Sequence, residues 1–139
     1  MKAYRVMELL IFIIFLYDIL PSFYFRYCSS SVIRRFHNDN SIYLTFDDGP
    51  NPDYTLQILD LLREYNVKAT FFIIAEKAEK HKYILDRIVE EGHTLGIHSY
   101  SHRSAWLFTP WQTRKDFRDS ILALEKLGYK IKYFRPPWG

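Results

Sequence analysis

Three short segments hold the residues able to do chemistry: Thr45-Phe46-Asp47-Asp48-Gly49-Pro50, His98-Ser99-Tyr100-Ser101-His102 and Arg135-Pro136-Pro137-Trp138-Gly139. They supply two adjacent carboxylates, two imidazoles four residues apart, and an arginine ahead of a stiff Pro-Pro turn. On a helical turn the four-residue spacing sets both rings on one face, as two ligands of a single divalent ion, with Asp48 as the third. Two imidazoles and a carboxylate leave coordination positions open, which separates a catalytic metal site from a closed structural one. Such an ion lowers the pKa of water from 15.7 to roughly 7. Asp47, next to a ligand but not needed as one, is placed to accept that proton. Arg135 is placed to pair with Asp47 and keep it ionised and oriented.

Each segment is weak evidence alone. Asp-Asp-Gly-Pro is a common turn composition, His-x-x-x-His here lacks the intervening Glu of the zinc proteases, and Arg-Pro-Pro says almost nothing. Their combination, in order and with complementary chemistry, points to one shared metal site of a hydrolase. His37, His81 and His93 read as ordinary surface or core histidines.

The positioning elements follow from hydrophobic periodicity. Ile42, Leu44 and Phe46 lead into the first segment, where Gly49, Pro50 and Pro52 end regular structure. A helix is expected over 54–65, with Leu56, Leu59 and Leu62 at intervals of three and Asp53 as its cap. The apolar run over 68–75 has the signature of a strand buried on both faces. A second helix is expected over 78–91, closing on Gly92, and a third strand over 94–97 runs into the histidines. Thr109, Pro110 and Gln112 form a capping-box start for a third helix. Phe117, Ile121 and Leu124 are its expected buried stripe, and Gly128 ends it. A fourth strand over 129–134 then delivers Arg135. Such βα repetition predicts a parallel sheet with right-handed crossovers, whose active groups gather at the carboxyl ends of the strands.

The 139 residues suffice for one domain, and 48% hydrophobic content suffices for a core. A net charge of +3, with the basic residues scattered, gives no support to nucleic-acid binding. The single cysteine, Cys28, excludes an intrachain disulfide and a multi-cysteine metal site. No protein partner is implied. Residues 1–27 read as an apolar signal-anchor or transmembrane segment. Residues 9–17 fall short of the ~20 needed to span a bilayer. Extension to Phe25 reaches that length with Asp18 near the middle, where the Leu, Ile and Phe side chains at about −0.5 kcal/mol each outweigh about +3 for the Asp. An uncleaved anchor, with the domain on the extracytoplasmic side, is favoured over a cleaved signal peptide and a secreted product. The remaining alternative is an apolar helix packed on the domain. Residues 28–40 read as a linker and 41–139 as the catalytic domain.

Taken together, the three motifs resemble those of the polysaccharide deacetylases of carbohydrate esterase family 4, which carry the NodB homology domain. The match runs over 42–139. The resemblance implies an α/β fold, a distorted (β/α) barrel truncated here after about four strands, and hydrolysis of N-acetyl groups from amino sugars in peptidoglycan or chitin-like glycan. It assigns Asp47 as the base, Asp48, His98 and His102 as ligands of a divalent ion (zinc by default), and Arg135 as the residue orienting Asp47. Pro136, Pro137 and Trp138 would line the sugar groove. Family members continue to an aromatic/Asp segment and a Leu-x-His segment whose His is the general acid. Neither occurs here, so the chain reads as the N-terminal part of a longer enzyme, with little deacetylation expected from it as it stands. A small-molecule amidohydrolase and a non-catalytic glycan- or metal-binding remnant are the competing readings.

Overall fold

The computed structural model describes residues 2–33, 41–103 and 108–138, which fall into two compact units, 1–41 and 42–139. The first unit is helical: α1 (Lys2–Ile14), a π-helical turn (Phe15–Ile19), α2 (Leu20–Phe23) and a second π-helical turn (Tyr24–Cys28). The expected transmembrane anchor is not formed. Among the described residues no helix is long and apolar enough to cross a membrane. The thirteen residues of α1 rise about 20 Å against a hydrocarbon core of about 30 Å. Beyond Ile14 the backbone bonding widens to i→i+5, as in Leu20 N–H to Phe15 C=O, and the α-helical register changes. The anchor helix, the membrane as a partner and the membrane-anchored location all rested on that segment and fall with it. The expected linker lies outside the described residues from position 34 to 40, as does Gly139.

In the second unit the strands are β1 (Leu44–Gly49), β2 (Ala69–Ile74), β3 (Thr94–Ser99) and β4 (Tyr133–Phe134). They form one parallel sheet in the order β1-β2-β3-β4. Each strand lies beside its predecessor and points the same way, which is the winding of a (β/α) barrel, here a distorted four-stranded arc of one. The helices are α3 (Thr55–Glu64), α4 (Ala75–Ala78), α5 (Lys82–Glu90) and α6 (Pro110–Lys126).

Strand alternation divides the labour between the two faces. Phe71 and Ile73 of β2 and Leu95 and Ile97 of β3 join Leu59, Leu62, Ile84, Leu85, Ile88 and Leu124 from the helices in one core. Each such side chain, fully buried, contributes roughly 1.5–3 kcal/mol. The opposite face carries Thr45 and Asp47, then Phe72, then Gly96 and His98. Gly96 faces Phe72 across the ladder, and a Cβ there would lie 2.6 Å from the phenyl ring. Only glycine lets that ring lie over β3.

Several boundaries differ from expectation for local reasons. The cap position of α3 is Tyr54 and no side chain caps it. Asn51, not Asp53, organises the turn, its Oδ1 accepting from the N–H groups of Asp53 (2.8 Å) and Tyr54 (3.2 Å). The second helix is split into α4 and α5, because Ala75 and Ile84, both buried, would sit about 180° apart on one straight helix. In α6 the capping box forms as expected between Thr109 and Gln112. Its buried positions are Ser120 and Leu124, while Phe117 is exposed enough to stack edge-on against Phe134 at 4.8 Å. β4 is shorter than expected because Tyr129 is used elsewhere. Its N–H closes the α6 terminus on the Leu124 carbonyl at 3.1 Å, after Gly128 at φ +94°. Its hydroxyl donates to Asp86 at 2.6 Å.

Candidate active site

Adjacent residues of a flat strand point to opposite faces, so Asp47 and Asp48 cannot share a site without a break in the ladder. That break is present. Phe46 faces Phe71 and Gly49 faces Ile73, so three steps on β1 match two on β2 and the aspartates occupy a bulge. Asp48 sits at φ +68°, in the left-handed region that Asp tolerates better than most residues. A second irregularity follows on β3, where Ile73 faces Ile97 but Ile74 faces Ser99, leaving His98 between.

His98 therefore lies on the strand itself and His102 in the loop beyond, at φ +57°. The helical turn expected for the pair is absent. What brings the rings to 5.2 Å is a loop pinned by the Ser99 hydroxyl, which accepts from the His102 N–H at 2.7 Å. Asp48 Oδ1 is 2.9 Å from His102 Nε2 and 3.4 Å from His98 Nε2. Ligand atoms around a tetrahedral ion at 2.0–2.1 Å stand about 3.3 Å apart, so the donor set fits a divalent cation. The tautomer agrees. His98 Nδ1 is 2.8 Å from the Arg135 carbonyl, which only accepts, so Nδ1 carries the proton and Nε2 keeps its lone pair for the ion. His98 is buried and Asp48 exposed, which leaves one side of the cluster open to solvent.

The Arg135 backbone N–H donates to the Ile97 carbonyl at 2.9 Å, setting the start of the third segment on the sheet. Its guanidinium donates to Asp47 Oδ1 and to the Thr45 hydroxyl, both at 2.9 Å, and lies 4.2 Å from the centroid of the Phe72 ring. The pair is about a third exposed on each side, so its contribution to stability is about 0–1 kcal/mol. Its consequence is geometric: the guanidinium holds Oδ1 and so fixes the orientation of the carboxylate. Trp138, at φ +64° and exposed, presents its ring edge-on to His102 at 5.7 Å. Pro137 is buried beneath it in sequence and Pro136 is exposed.

Asp48, His98 and His102, the Asp47–Arg135 pair and the Trp138 ring thus come together at one end of the sheet. The sequence reading missed Phe72, which supports Arg135, and the hydroxyl of Thr45. Strand parity was the available signal, since both share an inward face with Asp47 and His98. It also missed Lys77 of α4, whose ammonium donates to the Asp48 carbonyl at 3.1 Å, and nothing in the local sequence marks it.

A parallel α/β sheet with an open Asp-His-His cluster and an ion-paired aspartate beside it defines an α/β domain with a candidate metal site at one end of its sheet. The chain belongs to the polysaccharide deacetylase family, whose model matches residues 34–139. It is 42% identical over 108 residues to a peptidoglycan-N-acetylglucosamine deacetylase of Bacillus cereus, covering 74% of this chain and 38% of that protein. To the peptidoglycan-N-acetylmuramic acid deacetylase PdaC of Bacillus subtilis it is 40% identical, over 73% of this chain and 22% of that one. Among solved structures, the Bc1960 peptidoglycan N-acetylglucosamine deacetylase superposes with a TM-score of 0.70 at 41% identity, covering 74% of this chain and 49% of the other. PdaC superposes with a TM-score of 0.69 at 40% identity, covering 73% and 51%. The chain spans about half the length of these relatives or less.

Proposed function

We propose that residues 41–139 form the metal-holding part of a hydrolase that removes N-acetyl groups from amino sugars of a glycan such as peptidoglycan. The observation that carries this reading is the convergence of Asp48, His98 and His102 on one point beside the Asp47–Arg135 pair. The names of the related proteins support the substrate class. Asp48, His98 and His102 hold the ion, and the two-imidazole, one-carboxylate donor set favours zinc. A divalent ion there supplies Lewis acidity toward the amide carbonyl and acidifies a water molecule. Asp47 takes the proton of the attacking water on Oδ2, while Arg135, braced by Thr45 and Phe72, holds the other oxygen. Trp138 offers an apolar face for a sugar ring, with Pro136 and Pro137 stiffening the turn that presents it.

The test is metal stoichiometry with acetate release. Replacing Asp48, His98 or His102 with Ala is expected to abolish tight zinc binding by the wild-type chain. Asp47→Asn is expected to retain zinc and to lower acetate release from N-acetylated glycan by about 10²–10⁴-fold relative to its parent. Unchanged metal content in the three Ala variants, or unimpaired release in Asp47→Asn, refutes the assignment.

A further inference from the structure

From the placement of α4 we infer that Lys77 is a positioning residue for the metal ligand Asp48, an inference that rests on the metal reading above. Neither Asp47 nor Asp48 has a facing residue on β2, because the bulge takes them out of the ladder. A carbonyl displaced in this way bonds to water or to another partner. For Asp48 that partner is the Lys77 ammonium at 3.1 Å. The bond is charge-assisted, which makes it stronger than an ordinary neutral one. It acts on a residue at φ +68°, a conformation that costs a non-glycine residue free energy even where Asp tolerates it. The peptide plane of Asp48 fixes where its Cα–Cβ bond points, and so where Oδ1 meets the imidazoles.

The same short helix also holds the other ligand segment. The Glu76 N–H donates to the carbonyl of Tyr100, midway between His98 and His102, at 3.0 Å. Ala75 and Ala78, both buried, seat α4 on the core. Consecutive residues of one seated helix, Glu76 and Lys77, therefore bond to the two chain segments that carry the three ligands. Their spacing is set by α4 and not by the ligands alone. Groups outside the first coordination sphere that fix ligand orientation typically change metal affinity by 10–100-fold.

Through-space electrostatics predicts the opposite sign, because a nearby ammonium repels a divalent cation. Loss of Lys77 would then tighten metal binding. The experiment measures zinc affinity by chelator competition, and the visible absorption of the cobalt(II)-loaded protein, for the whole chain and for Lys77→Met, Lys77→Arg and Lys80→Met. Lys80 is exposed and one turn away. We expect Lys77→Met to weaken zinc binding by about 10-fold and to alter the cobalt spectrum. Lys77→Arg should recover most of the affinity and Lys80→Met should match the wild type. In an Asp48→Asn background, Lys77→Met should add little. Equal affinity in Lys77→Met and wild type, tighter binding in Lys77→Met, or an equal loss in Lys80→Met overturns the role of Lys77 while leaving the metal site standing. A wild-type chain that binds no zinc overturns both.

Discussion

Gly96→Ala tests the link between sheet packing and the site. The new Cβ would stand 2.6 and 2.7 Å from two carbons of the Phe72 ring and 3.1 Å from the Tyr133 carbonyl oxygen. Carbon atoms in good contact stand about 3.5–4.0 Å apart, so the ring must retreat by roughly 1 Å. The backbone of β3 cannot yield instead, because Tyr133 closes it from the other side. Overpacking of this kind costs about 1–3 kcal/mol. For a domain of this size, each kcal/mol lowers the melting temperature by about 4–8 °C. Urea denaturation at 25 °C and thermal melting read both quantities. The ring that moves is the one beneath the Arg135 guanidinium, so the Asp47–Arg135 geometry is disturbed as well. Placing Gly96→Ala in a Phe72→Leu background should relieve the clash, so the double variant is less destabilised than the two single costs combined by about 1 kcal/mol or more. A Gly96→Ala protein within about 0.5 kcal/mol of wild type, or strict additivity with Phe72→Leu, refutes the reasoning.

Ser99→Ala removes the acceptor that holds the His102 N–H at 2.7 Å in a left-handed loop conformation, and should cost about 1–2 kcal/mol in urea denaturation with weaker zinc binding in the same protein. Burial, with the nearby charge of Lys68, pushes the His93 imidazole below its ordinary range. His93 stays neutral in the fold, its Nδ1 accepting from the Ala69 N–H at 3.2 Å. The unfolded chain takes up a proton near pH 6.5 and the folded chain only at lower pH. Stability is therefore full above about pH 6.5 and falls as the pH drops through the folded value. The carboxyls of Asp60, Asp86 and Asp119 lie below the usual carboxylate range because of their Arg or Lys partners, so they act only at lower pH still. Denaturation midpoints between pH 7 and 5 should decline for the wild type and flatten in His93→Gln; parallel profiles contradict this account.

What residue types and spacing determined is considerable. The order of strands and helices, the capping box at Thr109 and the set of chemical residues were legible because they depend on local periodicity and on side-chain chemistry. The metal set, the Asp47–Arg135 pair and the family resemblance needed no coordinates. The fate of residues 1–27 was misread, because hydropathy sums over a window without asking whether the helix stays in one register through Phe15 and Tyr24. The helical geometry assumed for His98 and His102 was also wrong, although the rings do meet. Pattern reading treats a four-residue spacing as a helix face, whereas a strand end, a hydroxyl pin and a left-handed residue achieve the same approach. The bulge that turns two neighbouring aspartates to one site, the glycine that admits the Phe72 ring, and the lysine that reaches back from α4 depend on partners tens of residues away. Such contacts come into being only when the strands align, which is why three-dimensional packing, and not the order of residues, settles how finely the ligands are aimed.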